Sequence, residues 1–185
     1  MAFCDFLLAT DIVGYNCANP LIKGAEKTGL LINWDDVDFD DTTIQMDIAQ
    51  VHLSLKCGGK KAFTITQNGK QPFSGTQQEM AEGTYQNTLT NTIQFVILNQ
   101  DSDTAKDIFA LANGKFVAII PNKNGTYQIY GIENGLRSTG LVRELYNDDT
   151  LSGWLVTMTE ENASMSFFIE AADFTSLQTA TSACT

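Results

Sequence analysis

The chain has 185 residues and a formal charge of −11, from 22 Asp and Glu against 11 Lys and Arg. Its apolar fraction is 43 % and its charged fraction 18 %, so it can bury enough surface to offset ordering entropy, and wholesale disorder is excluded. The length suits one domain, residues 1–185, burying about 70 % of its unfolded surface, and the acidic balance excludes a nucleic-acid-gripping surface, which needs clustered Lys and Arg.

Met1–Thr10 is apolar but holds Asp5, and no Lys or Arg precedes its short hydrophobic patch, so no secretory signal is expected. The longest apolar runs, such as Phe116–Pro121, fall far below the roughly 20 residues that span a bilayer, so no membrane partner is expected. Cys4, Cys17, Cys57 and Cys184 are widely spaced, with no CxxC pair and only one histidine, His52. Structural zinc needs four Cys or His ligands, usually in close pairs, so no metal or other cofactor is expected. The four thiols read as free, buried, small hydrophobes.

Ile44, Met46 and Ile48 alternate with polar residues, as in a half-buried strand. The apolar parity then switches to Val51, Leu53 and Leu55, which predicts a bulge or bend near Ala49–Gln50 if this is one strand. Ala62–Thr66 is strand-like, and Asn68-Gly69 predicts a two-residue hairpin returning through Lys70–Phe73. Ser74–Asn91 is rich in Gly, Gln and Thr and reads as a long loop or a polar hairpin. Thr92–Leu98 is a buried strand by its apolar, β-branched run. In the following DSDTAKDIFALANG, Asp101 or Ser102 caps a helix with Ala105, Ile108, Leu111 and Ala112 on one face, and Asn113-Gly114 stops it.

Phe116–Ile120 is a second buried strand. Asn122–Gly125 turns the chain into Thr126–Ile132, and Glu133–Gly135 turns it again into Leu136–Leu145. Ser152–Thr159 and Ala163–Glu170 are expected to pair as a last hairpin across Glu160–Asn162. The tail Ala171–Thr185, rich in Thr, Ser and Ala, is expected to be flexible or ordered only by assembly. The predicted fold is mainly β, an antiparallel sandwich or barrel with one flanking helix.

Few residues point to chemistry. His52 lies on the polar phase of VHLSL, with no nucleophile elbow elsewhere, and reads as a surface or interface histidine. Asp35, Asp36, Asp38, Asp40 and Asp41 form an acidic run around Trp34, Val37 and Phe39. Clustered carboxylates suit calcium, but the run lacks the glycine and terminal glutamate of an EF-hand loop, so it reads as a solvated turn or an acidic interface surface. Gly58-Gly59 and Gly131…Gly135 do not match a phosphate-binding loop. Lys56, Lys60 and Lys61 fit an edge-strand guard or a charged subunit contact. No catalytic constellation emerges, and an enzyme is not expected.

The segment Thr92–Leu136 (TIQFVILNQDSDTAKDIFALANGKFVAIIPNKNGTYQIYGIENGL), followed by Ser152–Ile169 (SGWLVTMTEENASMSFFI), resembles virion structural proteins of phages infecting Bacteroidetes. Cys17-Ala18-Asn19-Pro20, Lys23-Gly24 and Leu30–Phe39 (LLINWDDVDF) share that resemblance, which is nearest in style to tail-tube subunits. The resemblance implies a β-sandwich or barrel with one flanking helix. It implies hexameric rings stacked into a tube, contacts with other tail or connector proteins, DNA passing without specific binding, and no catalytic residues. The implied location is the virion, after synthesis in the host cytoplasm. A net negative wall would repel phosphates, so DNA would slide rather than stick. Alternative positions in a virion are a tail terminator, a portal-proximal ring or a capsid decoration protein. An alternative of another class is a carbohydrate- or peptide-binding β-sandwich, for which Trp34, Tyr85 and Tyr146 are the candidate aromatics.

Overall fold

The computed structural model describes residues 24–83, 87–98, 101–143 and 153–179. One sheet has seven strands: β1 (Thr28–Asn33), β2 (Thr43–Gln45), β3 (Gln50–His52), β4 (Phe63–Thr66), β7 (Phe116–Pro121), β8 (Tyr127–Tyr130) and β11 (Phe167–Ile169). Their spatial order is β2-β3-β11-β8-β7-β1-β4. The other has four: β5 (Gln77–Ala81), β6 (Thr88–Ile97), β9 (Arg137–Arg143) and β10 (Trp154–Ala163), ordered β5-β6-β10-β9. All pairings are antiparallel except β11 with β3. Two helices, α1 (Ser102–Asn113) and α2 (Ala171–Thr179), complete the fold, which is mainly β and sandwich-like with a flanking helix.

Strand β7 shows why the sheets sit as they do. Successive side chains of a strand point to opposite faces, and all six residues of FVAIIP are buried. Phe116, Ala118 and Ile120 face a core shared with Ile93, Phe95, Val156 and Met158 of the four-stranded sheet and Ile108 and Leu111 of α1. Val117 and Ile119 face a second core, with Val51, Ile129, Phe167 and, from α2, Phe174 and Leu177. The seven-stranded sheet is therefore a middle layer, covered on both faces. A continuous apolar run is what such a strand requires.

Helix α1 follows its sequence signals. The Asp101 side chain accepts from the Thr104 N–H at 2.8 Å, closing the N-terminal turn. The buried stripe is Thr104, Ile108 and Leu111; Ala105 and Ala112 face solvent instead. At the other end the Gly114 N–H donates to the Ala110 carbonyl. A Cβ added at Gly114 would lie 2.4 Å from the Phe116 ring. Gly114→Ala is therefore expected to displace that buried ring and cost about 1–3 kcal/mol by overpacking, readable as a lower melting temperature.

Elsewhere tertiary packing overrides local pattern. Met46 and Ile48 do not continue a strand: residues 46–49 form the turn of the β2–β3 hairpin, with Ala49 at φ 53° and both apolar side chains exposed. Asn68-Gly69 does not close a hairpin. β4 pairs with β1 instead, and the expected return segment curls so that Phe73, at φ 54°, is buried. Its ring packs on Gly29, where an added Cβ would approach it to 3.0 Å. The polar stretch before β6 does form a hairpin, β5 with β6. The expected last hairpin is absent: β10 runs through Glu160 with a register shift between Glu160 and Ala163, and β11 joins the other sheet beside β8 and β3. Residues 171–179 are helical, because Phe174 and Leu177 bury against the second core. Cys57 is neither free nor buried: it is disulfide-bonded in an exposed turn, and Cys4, Cys17 and Cys184 lie outside the described residues.

Candidate assembly surfaces

The acidic run is built around β1. After Asn33 the chain makes a short 3-10 turn, Trp34–Asp36, and its five carboxylates then separate in role. Asp36 is buried, and its carboxylate meets Lys60 Nζ at 2.6 Å and accepts from Asn33 Nδ2 at 2.8 Å. Asp38 bends the next turn, one carboxylate oxygen accepting from the Asp40 N–H. Asp35, Asp40 and Asp41 are exposed. The five do not converge, and among the described residues no group of three His, Cys, Asp or Glu side chains is placed to hold a metal.

The fold shifts the ionisation of Asp36. Burial alone raises its pKa, but the hydrogen bonds from Lys60 and Asn33, with the charges of Lys60 and Lys56, outweigh that and hold it below the usual value. The folded carboxyl thus ionises more readily than the unfolded one. Its contribution is complete above the unfolded pKa of about 3.9 and is lost as the pH falls through the lower folded value. Asp36→Asn is expected to cost about 1 kcal/mol at neutral pH, with the gap to the parent closing in acid. Urea unfolding of both proteins at neutral pH and near pH 2 checks this.

The other expected site residues have local partners. His52 Nδ1 lies 2.8 Å from Asp173 Oδ2, joining β3 to α2 at the surface. Lys56 donates to the Asp35 carbonyl, and Lys61 sits over the Phe63 ring at the start of β4. Trp34 is no open sugar platform: Lys115 Nζ covers its ring at 3.7 Å and Phe39 packs on it at 4.6 Å. Tyr85 and Tyr146 lie outside the described residues.

Two concave surfaces flank β1 and β4. A cleft of about 530 Å³ opens where β1 begins and β7 ends, with Lys27, Lys70 and Lys123 around buried Pro121 and Phe174 and half-buried Tyr127. A more apolar groove of about 660 Å³ runs beside β4, between Phe63 and Ile65 on one wall and Ile97, Leu98 and Ala110 on the other. Gln67 closes part of that gap. Its carboxamide accepts from the Val96 N–H and donates to the Val96 carbonyl, both at 2.9 Å, as a neighbouring strand would.

One densely engaged carboxylate is one that the sequence places in a turn. Glu160 is 2 % exposed. Its Oε2 accepts from Asn91 Nδ2 and the Gly131 N–H, each at 2.8 Å, and its Oε1 from the N–H groups of Glu133 and Asn134 at 3.2 and 2.9 Å. Asn91 in turn accepts from Gln78, which accepts from Gln128 of β8 and from Ser166, just before β11. This polar chain ties the sheets in one relative position, which apolar contact alone does not specify. The arrangement neutralises a charge with N–H dipoles and leaves no acid–base pair. No family model, curated protein or solved structure matches this chain.

Proposed function

We propose that the chain is an assembling structural subunit of a phage virion, of tail-tube type, whose copies form a ring, in the implied case hexameric, and whose rings stack into a conduit for DNA. The observation that carries this reading is the state of the sheet edges. Among the described residues β2, β4, β5 and β9 end the two sheets, and three of them carry exposed large apolar residues: Phe63 on β4, Met80 on β5 and Val142 on β9, exposed by 45 %, 69 % and 49 %. An open edge with apolar side chains invites pairing with another chain, and monomers usually blunt such edges. A subunit that completes its sheets with neighbours has a use for them.

The other features agree with that role. A net charge of −11 keeps phosphate from adhering to a conduit wall, and the disulfide at Cys57 suits a particle exposed to an oxidising medium. The reading assigns no catalysis. His52 is engaged by Asp173, and Glu160 by four N–H donors. No helix among the described residues is long and apolar enough to cross a membrane. The test is direct: negative-stain microscopy and sedimentation of the purified chain should show rings or tubes, and a protein that stays monomeric at high concentration overturns the proposal.

The groove beside β4 favours a second reading, a peptide-binding sandwich, because an extended peptide can add to an open edge while its side chains fill the groove. Saturable binding of extended peptides by a monomeric chain would support that reading over the first.

A further inference from the structure

An acidic subunit that assembles with itself must overcome its own repulsion, and it does so where opposite charges meet. This chain gathers three of its 11 basic residues at one cleft. Lys27 precedes β1, Lys70 follows β4 and Lys123 follows β7, and the antiparallel register brings these three strand ends to the same end of the sheet. All three lysines are exposed, and among the described residues none has an ion-pair partner. Among the described residues Glu26 is the one acid lining the cleft. Buried Pro121 and Phe174, with half-buried Tyr127, give the cleft an apolar part beside the polar Thr28, Asn68 and Gln178.

The complement lies beyond the other end of β1. In the turn that leads into edge strand β2, Phe39 is 41 % exposed and is flanked by Asp38, Asp40 and Asp41. Asp40 and Asp41 are exposed, with no cation beside them among the described residues. Phe39 packs on Trp34, the residue after β1, whereas the cleft adjoins the first residue of that strand, so the length of β1, roughly 20 Å at the usual rise per residue, separates the two. An aromatic side chain ringed by carboxylates matches a partly apolar cleft rimmed by ammonium groups. One molecule cannot bring the two together.

We propose that the Phe39–Asp41 turn of one copy docks in the Lys27/Lys70/Lys123 cleft of the next. The contact is heterologous, so repetition closes a ring or extends a filament. It rests on the assembling-subunit reading and names one contact within it.

Reciprocal charge reversal in the full chain tests this by sedimentation. Lys27→Glu/Lys70→Glu/Lys123→Glu and, separately, Asp40→Lys/Asp41→Lys are expected to weaken assembly on the order of tenfold or more, since each turns several attractions into repulsions. Joining both sets in one chain is expected to restore assembly, which misfolded variants would not do; unchanged melting temperatures provide a second check. If either set leaves assembly unchanged, or the joined set fails to restore it, the contact is wrong although the subunit reading stands. A parent protein that stays monomeric overturns both. Saturating the lysines with pyrophosphate without loss of assembly would make the cleft a small-anion site and also overturn the contact.

Discussion

Glu160→Gln is expected to cost about 2–4 kcal/mol of folding stability, which for a chain of this length is a fall of roughly 5–15 °C in melting temperature. The glutamine fits the space but not the donors. Each carboxylate oxygen of Glu160 accepts two hydrogen bonds from N–H groups. A carboxamide offers one oxygen and turns an NH2 group toward the remaining two donors, whichever way it is flipped. Both then lose their acceptor, and a donor left without a partner costs more than the made bond contributes. The loss should concentrate in the β8–β9 turn, because Asn134 returns two bonds of its own, from Nδ2 to the Glu161 and Asn162 carbonyls at 3.1 Å. Glu161→Gln, at the exposed neighbouring position, is the control and should stay within about 0.5 kcal/mol of the parent. Equal melting curves for the two variants would mean that the carboxylate does not hold the sheets together.

That carboxylate marks where the sequence stops being informative. Glu160-Glu161-Asn162 is locally the composition of a turn, and nothing near it in the chain contradicts that. Its donors lie 26 to 69 residues away, so no local pattern could bring them into view. Elements whose stabilising contacts are local were legible: α1 with Asp101 at its cap, the β7–β8 hairpin across Asn122–Gly125, and the buried run of β7. Asn68-Gly69 failed for the opposite reason. Its local turn preference is real, but β4 pairs antiparallel with β1, from Thr28 opposite Thr66 to Leu31 opposite Phe63, and the chain after it curls to bury Phe73.

The acidic run was legible as charge and not as structure. Five aspartates in seven positions look equivalent in sequence, yet Asp36 is a buried partner of Lys60, Asp38 shapes a turn, and only Asp35, Asp40 and Asp41 present charge to solvent. The lysine cleft was invisible, because Lys27, Lys70 and Lys123 are far apart in the chain and meet only through strand register. What the sequence did carry is the sign of the whole: an acidic surface on which a small basic cleft stands out.

The C-terminal helix supplies the second large effect. Phe174→Ala is expected to cost about 3 kcal/mol, as for other buried phenylalanine truncations. Residues 171–179 look featureless because Ala, Ser and Thr dominate, and the signal is only two residues, Phe174 and Leu177, three positions apart on one helix face. Both are buried, by 8 % and 4 % residual exposure, and Phe174 stacks at 4.8 Å on Tyr127. They cover the outer face of the middle sheet, where Val51, Ile129 and Phe167 would otherwise meet water. The His52–Asp173 contact on the same helix is largely exposed on the histidine side, so Asp173→Asn should change stability by less than about 1 kcal/mol. A large loss for Phe174→Ala beside a small one for Asp173→Asn would show that apolar cover, not the ion pair, keeps α2 in place. The reverse order would mean that the helix is held by its surface charge and that the core beneath it is closed by something else.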